Sequence, residues 1–355
     1  MEICLKSSLS LLLVLLLLPI FVVAPSSSAD RGMVPVEPDV SVYEPGQKAI
    51  VAWNGLEEIL ILSTDITADV NTSALEIMPL PSNPSVIEKA SFDSFVRLQE
   101  YIWMRGPEVL GKNYRGDQTE SVVVTFHEEI GAHDITVVNA SDALEFTGWI
   151  EDFLKNNGIS QEISLQNFRN VVEDYMARGF RFFVLDLIYV STEENSIEPI
   201  LYQFETSFLY YPLEISSPIP GDTVITLFLL TKGEVETHFY SPYYPLTLAY
   251  YRSPTKWEPI RFELTKGELA IIDLRISKLF EDKAWLTVLE YDGKTNGLIK
   301  DLMITESSIT LDADSTGSAI QLLSFGALVG VLCTLTGATF VFLITRGKQD
   351  RKRSV

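Results

Sequence analysis

The sequence predicts an α+β fold: a mainly antiparallel β-sheet extracellular domain with a few packed helices, plus one C-terminal transmembrane helix. Three observations predict it. Short β-rich runs recur along most of the chain, two of them flanking Asn54-Gly55, a strong hairpin signal. Runs of helical period cluster between them instead of alternating with every strand. Ile320–Ile344 is 25 residues without a charge, enough at about 1.5 Å per residue to cross a hydrocarbon core of about 30 Å.

The elements follow in order. Gln47–Trp53 and Glu57–Ile66 form the hairpin, and the continuous apolar run Ile59-Leu60-Ile61-Leu62 predicts a strand buried on both faces. Ala74–Leu80 is a further strand, stopped by Pro79-Leu80-Pro81. A helix runs from Ser91 to Met104 on Phe92, Phe95, Val96, Leu98 and Ile102, and polar Arg105–Glu120 reads as a loop. Strands at Glu120–Phe126 and Ile135–Val138 flank Gly131. A helix begins at Asp142, where Asp142-x-x-Glu145 makes a capping box, presents Leu144, Trp149, Ile150, Phe153 and Leu154, and stops at Gly158. Another begins at Ser164 and ends at Gly179. Strands resume at Phe180–Val190, Ile200–Leu209, Thr223–Leu230, Leu269–Ile276 and Leu286–Tyr291, with Ser216–Gly221 as a candidate linker or equally an ordinary loop.

The 355 residues carry a net charge of −21. Of the 48 acids only Glu2 and Asp350 lie outside Asp30–Gly317, as do Lys6 and five tail residues of the 27 bases, so that middle part bears −25. Such a surface repels phosphate backbones and excludes nucleic acid. Cys4 and Cys333 both lie in terminal segments, which leaves the middle without disulfide, thiolate zinc site or Cys nucleophile.

The ends set the topology. Lys6, the apolar run Leu9–Leu18 and the small residues Ser27 and Ala29 make residues 1–29 a signal peptide cleaved after Ala29. Residues 30–304 are the extracellular domain and 305–319 a polar stalk; 320–345 span the membrane, and 346–355 form a cytoplasmic tail held inside by Arg346, Lys348, Arg351, Lys352 and Arg353. Gly326 and Gly330 supply a small-residue face that admits weak homodimerisation in the bilayer.

Chemical signatures are sparse. His127, Glu128, Glu129 and His133 invite a metal reading, but zincin spacing needs histidines four apart, and here they stand six apart across Gly131. Exposed polar residues at a hairpin end account for them instead. Asp312-x-Asp314 begins like a calcium loop, yet its twelfth position is Leu323. Phosphate-binding glycine loops and serine elbows are absent from the sequence. No catalytic, metal or cofactor residue is therefore assigned. Tyr240, Tyr243, Tyr244, Tyr250 and Tyr251 line a sheet edge or offer a stacking surface. Asn71 and Asn139 head sequons that admit glycosylation.

Gly32-Met33-Val34-Pro35, Glu44-Pro45-Gly46-Gln47, Met78–Pro84, Gly131-Ala132-His133-Asp134, Trp149-Ile150, Asn156-Asn157-Gly158, Trp285-Leu286-Thr287 and Asp301-Leu302 together resemble the domain of unknown function 2330 family. The resemblance implies a secreted or surface-anchored domain, and one domain in preference to two. It carries no functional residue with it. Cysteines that many relatives have after the leader are missing here.

The expected function is a non-enzymatic binding or envelope-structural module at the cell membrane. The rivals are an extracytoplasmic hydrolase assembled from distant residues (His127, Glu129 and His133) and an accessory or sensor subunit of a membrane complex.

Overall fold

The computed structural model describes residues 34–35, 42–106, 133–157, 159, 165–192, 195–219, 221–236, 245–252 and 257–310. Two mainly antiparallel sheets dominate. The hairpin pairs β1 (Val42–Trp53) with β2 (Glu57–Ala68) across Gly55, whose φ of 94° lies where glycine alone is unstrained. The large sheet runs from Thr247–Leu248 through β13 (Lys283–Lys294), β9 (Asp222–Thr231), β1, β2 and β7 (Ile200–Glu205) to β4 (Val86–Lys89). Its pairs are antiparallel except β9 with β1, where Ile50 faces Phe228 in a parallel ladder. β12 (Arg261–Thr265) extends it beside β13. The small sheet orders Val34–Pro35, β3 (Thr72–Leu80), β6 (Phe182–Val190) and β5 (His133–Asn139).

The central strands feed two cores. Ala49, Val51, Leu60, Leu62, Ile225 and Leu227 point toward the small sheet and its helices; Ile50, Ala52, Ile59, Ile61, Phe228 and Leu230 point the other way. Strict alternation along strands with no polar face produces this split. The double burial predicted for Ile59–Leu62 is what the structure contains.

Five α-helices lie among the described residues. α1 (Asp93–Arg105) buries Phe95, Leu98 and Ile102 in the second core, while Val96 faces solvent. α2 (Ala143–Asn156) starts as predicted, with the Asp142 carboxylate accepting from the Glu145 N–H at 2.8 Å. Its buried stripe is Phe146, Ile150 and Leu154; Leu144 and Trp149 turn outward, and Trp149 stacks on Phe153 at 5.3 Å. α3 (Gln166–Ala177) lies beside α2 and precedes Gly179, whose φ is 97°.

Two expected strands differ. Leu269–Ile276 is helical, forming parts of α4 (Lys266–Ile272) and α5 (Leu274–Leu279). Thr265 and Glu268 close a capping box there, and the Asp273 side chain accepts the Arg275 N–H to start the second helix. The run Ile200–Leu209 breaks after Glu205, because the Thr206 hydroxyl bonds the Phe208 carbonyl and turns the chain. It resumes as β8 (Leu209–Tyr211), paired with β14 (Leu302–Ile304). The candidate linker is packed instead: Ser216 and Ile219 are buried, and the Thr295 hydroxyl donates to the Ile219 carbonyl. None of the described helices is long and apolar enough to cross a membrane. The expected leader, spanning run and tail, the strand at Glu120–Phe126 and the stop at Gly158 lie outside the described residues.

Candidate functional site

His133 opens β5 at the edge of the small sheet. Register sets Glu76 of β3 opposite Asp186 of β6, with Ile135 of β5 on its other side and His133 two residues along, opposite Ile188 and so on the same face. Cross-strand partners share a face, so two acids and the imidazole meet on the side toward the large sheet. His133 Nδ1 lies 2.5 Å from Asp186 Oδ2, and Nε2 lies 3.1 Å from the Glu198 carbonyl oxygen. Both nitrogens thus face acceptors, and the ring that satisfies both is the doubly protonated cation. Burial opposes that charge, but the bond and charge of Asp186, with Glu76 behind it, outweigh burial and raise the His133 pKa.

This arrangement is unsuited to the chemistry a lone histidine suggests. A metal ligand or general base needs an open ring lone pair, and here both nitrogens are occupied. The cleft formed by Leu62, Thr64, Glu76, His133, Asp186 and Tyr202 has an interior of about 10 Å³, room for roughly one water and far below a substrate pocket. The expectation of exposed polar residues at a hairpin end is corrected for His133, whose side chain is only 9% exposed. His127, Glu128 and Glu129 lie outside the described residues. Asp186 is the partner the sequence reading missed. Its signal was a single acid within the apolar run Phe-Phe-Val-Leu-Asp-Leu-Ile-Tyr-Val.

A second buried network centres on Asp301. Its Oδ1 accepts the Tyr175 hydroxyl at 2.6 Å and the N–H groups of Leu213 and Glu214 at 2.9 and 3.0 Å. Its Oδ2 meets Arg178 Nη1 at 3.0 Å, and that guanidinium also reaches Glu214 and Asp174. Burial, with Asp301 adding to it, lifts Tyr175 well above the usual phenol range. Glu58 is the third buried acid. Its Oε2 accepts the Tyr210 N–H at 2.7 Å, its Oε1 has no hydrogen-bond partner among the described residues, and burial raises its pKa well above the carboxylate range.

On the opposite side of the large sheet, Arg105, Tyr251, Glu258, Pro259, Arg261 and Phe262 line an open groove of about 280 Å³. It forms where the last turn of α1 meets a ribbon of β10 (Tyr250–Arg252) and β11 (Trp257–Pro259). Arg105 packs its guanidinium over Phe262 at 4.6 Å and pairs with Glu268, and Arg261 pairs with Glu234. The buried Tyr251 hydroxyl makes no hydrogen bond among the described residues. The ribbon's other face carries Tyr250 and Trp257, edge to face at 6.3 Å and both exposed. Of the predicted tyrosine stretch, Tyr240, Tyr243 and Tyr244 lie outside the described residues. Both sequon asparagines are exposed: Asn71 in the turn before β3, and Asn139 at the end of β5.

Residues 25–250 match the sequence model of a family described as an uncharacterized protein conserved in bacteria, domain of unknown function 2330. The chain belongs to that family. The match ends short of the likeness read at Trp285 and Asp301. No curated protein matches the chain. Among solved structures, baculovirus P35 is similar at TM-score 0.44 and 10% identity, over 77% of this chain and 98% of that one. A mutated baculovirus P35 after caspase cleavage gives 0.35 at 10% identity, over 76% and 99%; the caspase-8/P35 complex gives 0.35 at 7%, over 74% and 96%. Resemblance at these scores supports no inference about what the chain does.

Proposed function

We propose that this member of the family is a non-enzymatic, single-pass membrane protein whose acidic extracytoplasmic domain binds a partner or supports envelope structure. The observation that carries the reading is the contrast between two sites. The histidine is locked between acceptors in a space of about 10 Å³, whereas the Arg105–Tyr251 groove opens to about 280 Å³. The first leaves a reaction no room, and the second offers donors, acceptors and aromatic surface to something bound. Supporting the topology are the uncharged run Ile320–Ile344 and the basic residues after it, with residues 1–29 as leader, 30–304 as the exterior domain, 305–319 as stalk, 320–345 as span and 346–355 as inner tail. The bilayer is then one partner, and Gly326 with Gly330 offers a face to a second copy.

Protease added to intact cells tests the topology: it removes the acidic domain and spares a tag on the tail. Survival of the domain until lysis would overturn the proposal. Saturable hydrolysis of any ester, amide or glycoside substrate by the purified full chain, lost on a point substitution, would overturn its non-enzymatic part.

A further inference from the structure

We infer that His133 is a pH-dependent latch between the two sheets, closed while its ring carries both protons and opened when Nε2 loses its own. The inference concerns a site that the proposed function does not use. It rests first on where the two acceptors sit. Asp186 belongs to β6, in the same sheet as His133, whereas the Glu198 carbonyl belongs to the segment that enters β7 of the large sheet. That segment is tied to the large sheet on its own account, through the Ile197 N–H to the Thr64 carbonyl and the pairing of Ser196 with Asp65.

The two ring contacts do not share the same fate. A neutral imidazole has one N–H, and the carboxylate at 2.5 Å is the stronger acceptor for it. The proton therefore stays on Nδ1, and Nε2 turns a lone pair toward a carbonyl lone pair at 3.1 Å. Deprotonation thus severs the contact that crosses between sheets and keeps the one within a sheet. The latch opens at the edge strand of the small sheet, where β5 has a single partner strand among the described residues.

The groups facing the ring set the direction. Asp186 on β6 and Glu76 on β3 are the acids beside it, and both favour the cation. The Glu198 side chain is paired with Lys89 of β4, while Thr64 of β2 and Tyr202 of β7 close the cleft as hydroxyl-bearing neighbours. With its pKa raised in the fold, the contribution is complete below the ordinary histidine range and is lost as pH rises through the raised value.

The test uses the full chain in lipid nanodiscs, with ring nitrogens labelled with nitrogen-15 and backbone hydrogen exchange read by mass spectrometry. The expected result is a His133 ring with both nitrogens protonated at the acid end, passing to the Nδ1–H tautomer as pH rises, with its midpoint above the ordinary histidine range. Between about pH 6 and pH 9, protection of peptides covering 133–139 and 195–200, corrected for intrinsic rates, falls about tenfold, the scale of one hydrogen bond. In His133→Gln this extra fall disappears. A midpoint below the ordinary histidine range, an Nε2–H tautomer, or equal pH dependence in wild type and His133→Gln would overturn the inference. The ring spectrum is read on the unmodified chain, so a misfolded variant does not remove the test, and none of these outcomes bears on the groove or the topology.

Discussion

Asp186 and Asp301 are both buried carboxylates facing a basic side chain, and they are solvated by the protein in different ways. Asp301 receives three donors on one oxygen and a guanidinium on the other, two of those donors being main-chain N–H groups. Asp186 receives the imidazole on Oδ2, and its Oδ1 has no hydrogen-bond partner among the described residues. One acid is held by donors that do not titrate near neutrality; the other depends on a ring that does. A saturated carboxylate makes a fixed joint, here between α3 and the loops at Leu213 and Asp301. An undersaturated one beside a histidine makes a joint that solvent pH can adjust.

That contrast is open to attack by substitution, read as shifts in the urea midpoint. Asp301→Ala strands the Tyr175 hydroxyl, two main-chain donors and Arg178 together, and costs about 4 kcal/mol. Asp186→Ala removes one acceptor and costs about 2 kcal/mol; a cost equal to that of Asp301→Ala would erase the distinction between the two sites. Glu58→Gln works in the other direction. With its folded pKa raised, Glu58 withdraws stability as pH climbs from the ordinary carboxylate range toward the folded value, so the amide gains about 1 kcal/mol near neutrality and flattens that slope. Glu214→Gln removes a partner of Arg178 that is more exposed than Asp301 and leaves Asp174 and Asp301 in place, and costs about 0.5 kcal/mol, as a partly screened pair should. A loss as large as that of Asp301→Ala would show that Arg178, and not Asp301, holds the network together.

Much of the architecture was legible before any coordinates. Asn54-Gly55 marked the hairpin, Asp142-x-x-Glu145 marked a helix start, and the unbroken run at Ile59 marked a strand with two apolar faces. Local signals also existed where the reading failed. Thr265-x-x-Glu268 is a capping box that announces α4, but the apolar density of Leu269–Ile276 suggests a strand because six apolar residues in eight fit either period. The site residues were harder for a physical reason. His133 lies 53 positions from Asp186, and Tyr175 lies 126 from Asp301, so register and packing bring them together where no motif spacing does. An acid inside an apolar strand, as at Asp186 and Glu76, was the one cue in the sequence, since burial demands a partner for it.

The parallel ladder between β1 and β9 also governs how the chain reaches this state. Ile50 meets Phe228 across 178 intervening steps of sequence, so the hairpin at Asn54-Gly55 emerges from the ribosome long before the strand that covers its flank. Both of its faces are greasy, and neither can rest against water during that wait. A nascent chain stopped short of Asp222 therefore leaves that flank of the hairpin unpaired, the kind of long-range closure that slows folding and exposes an apolar edge while it is awaited.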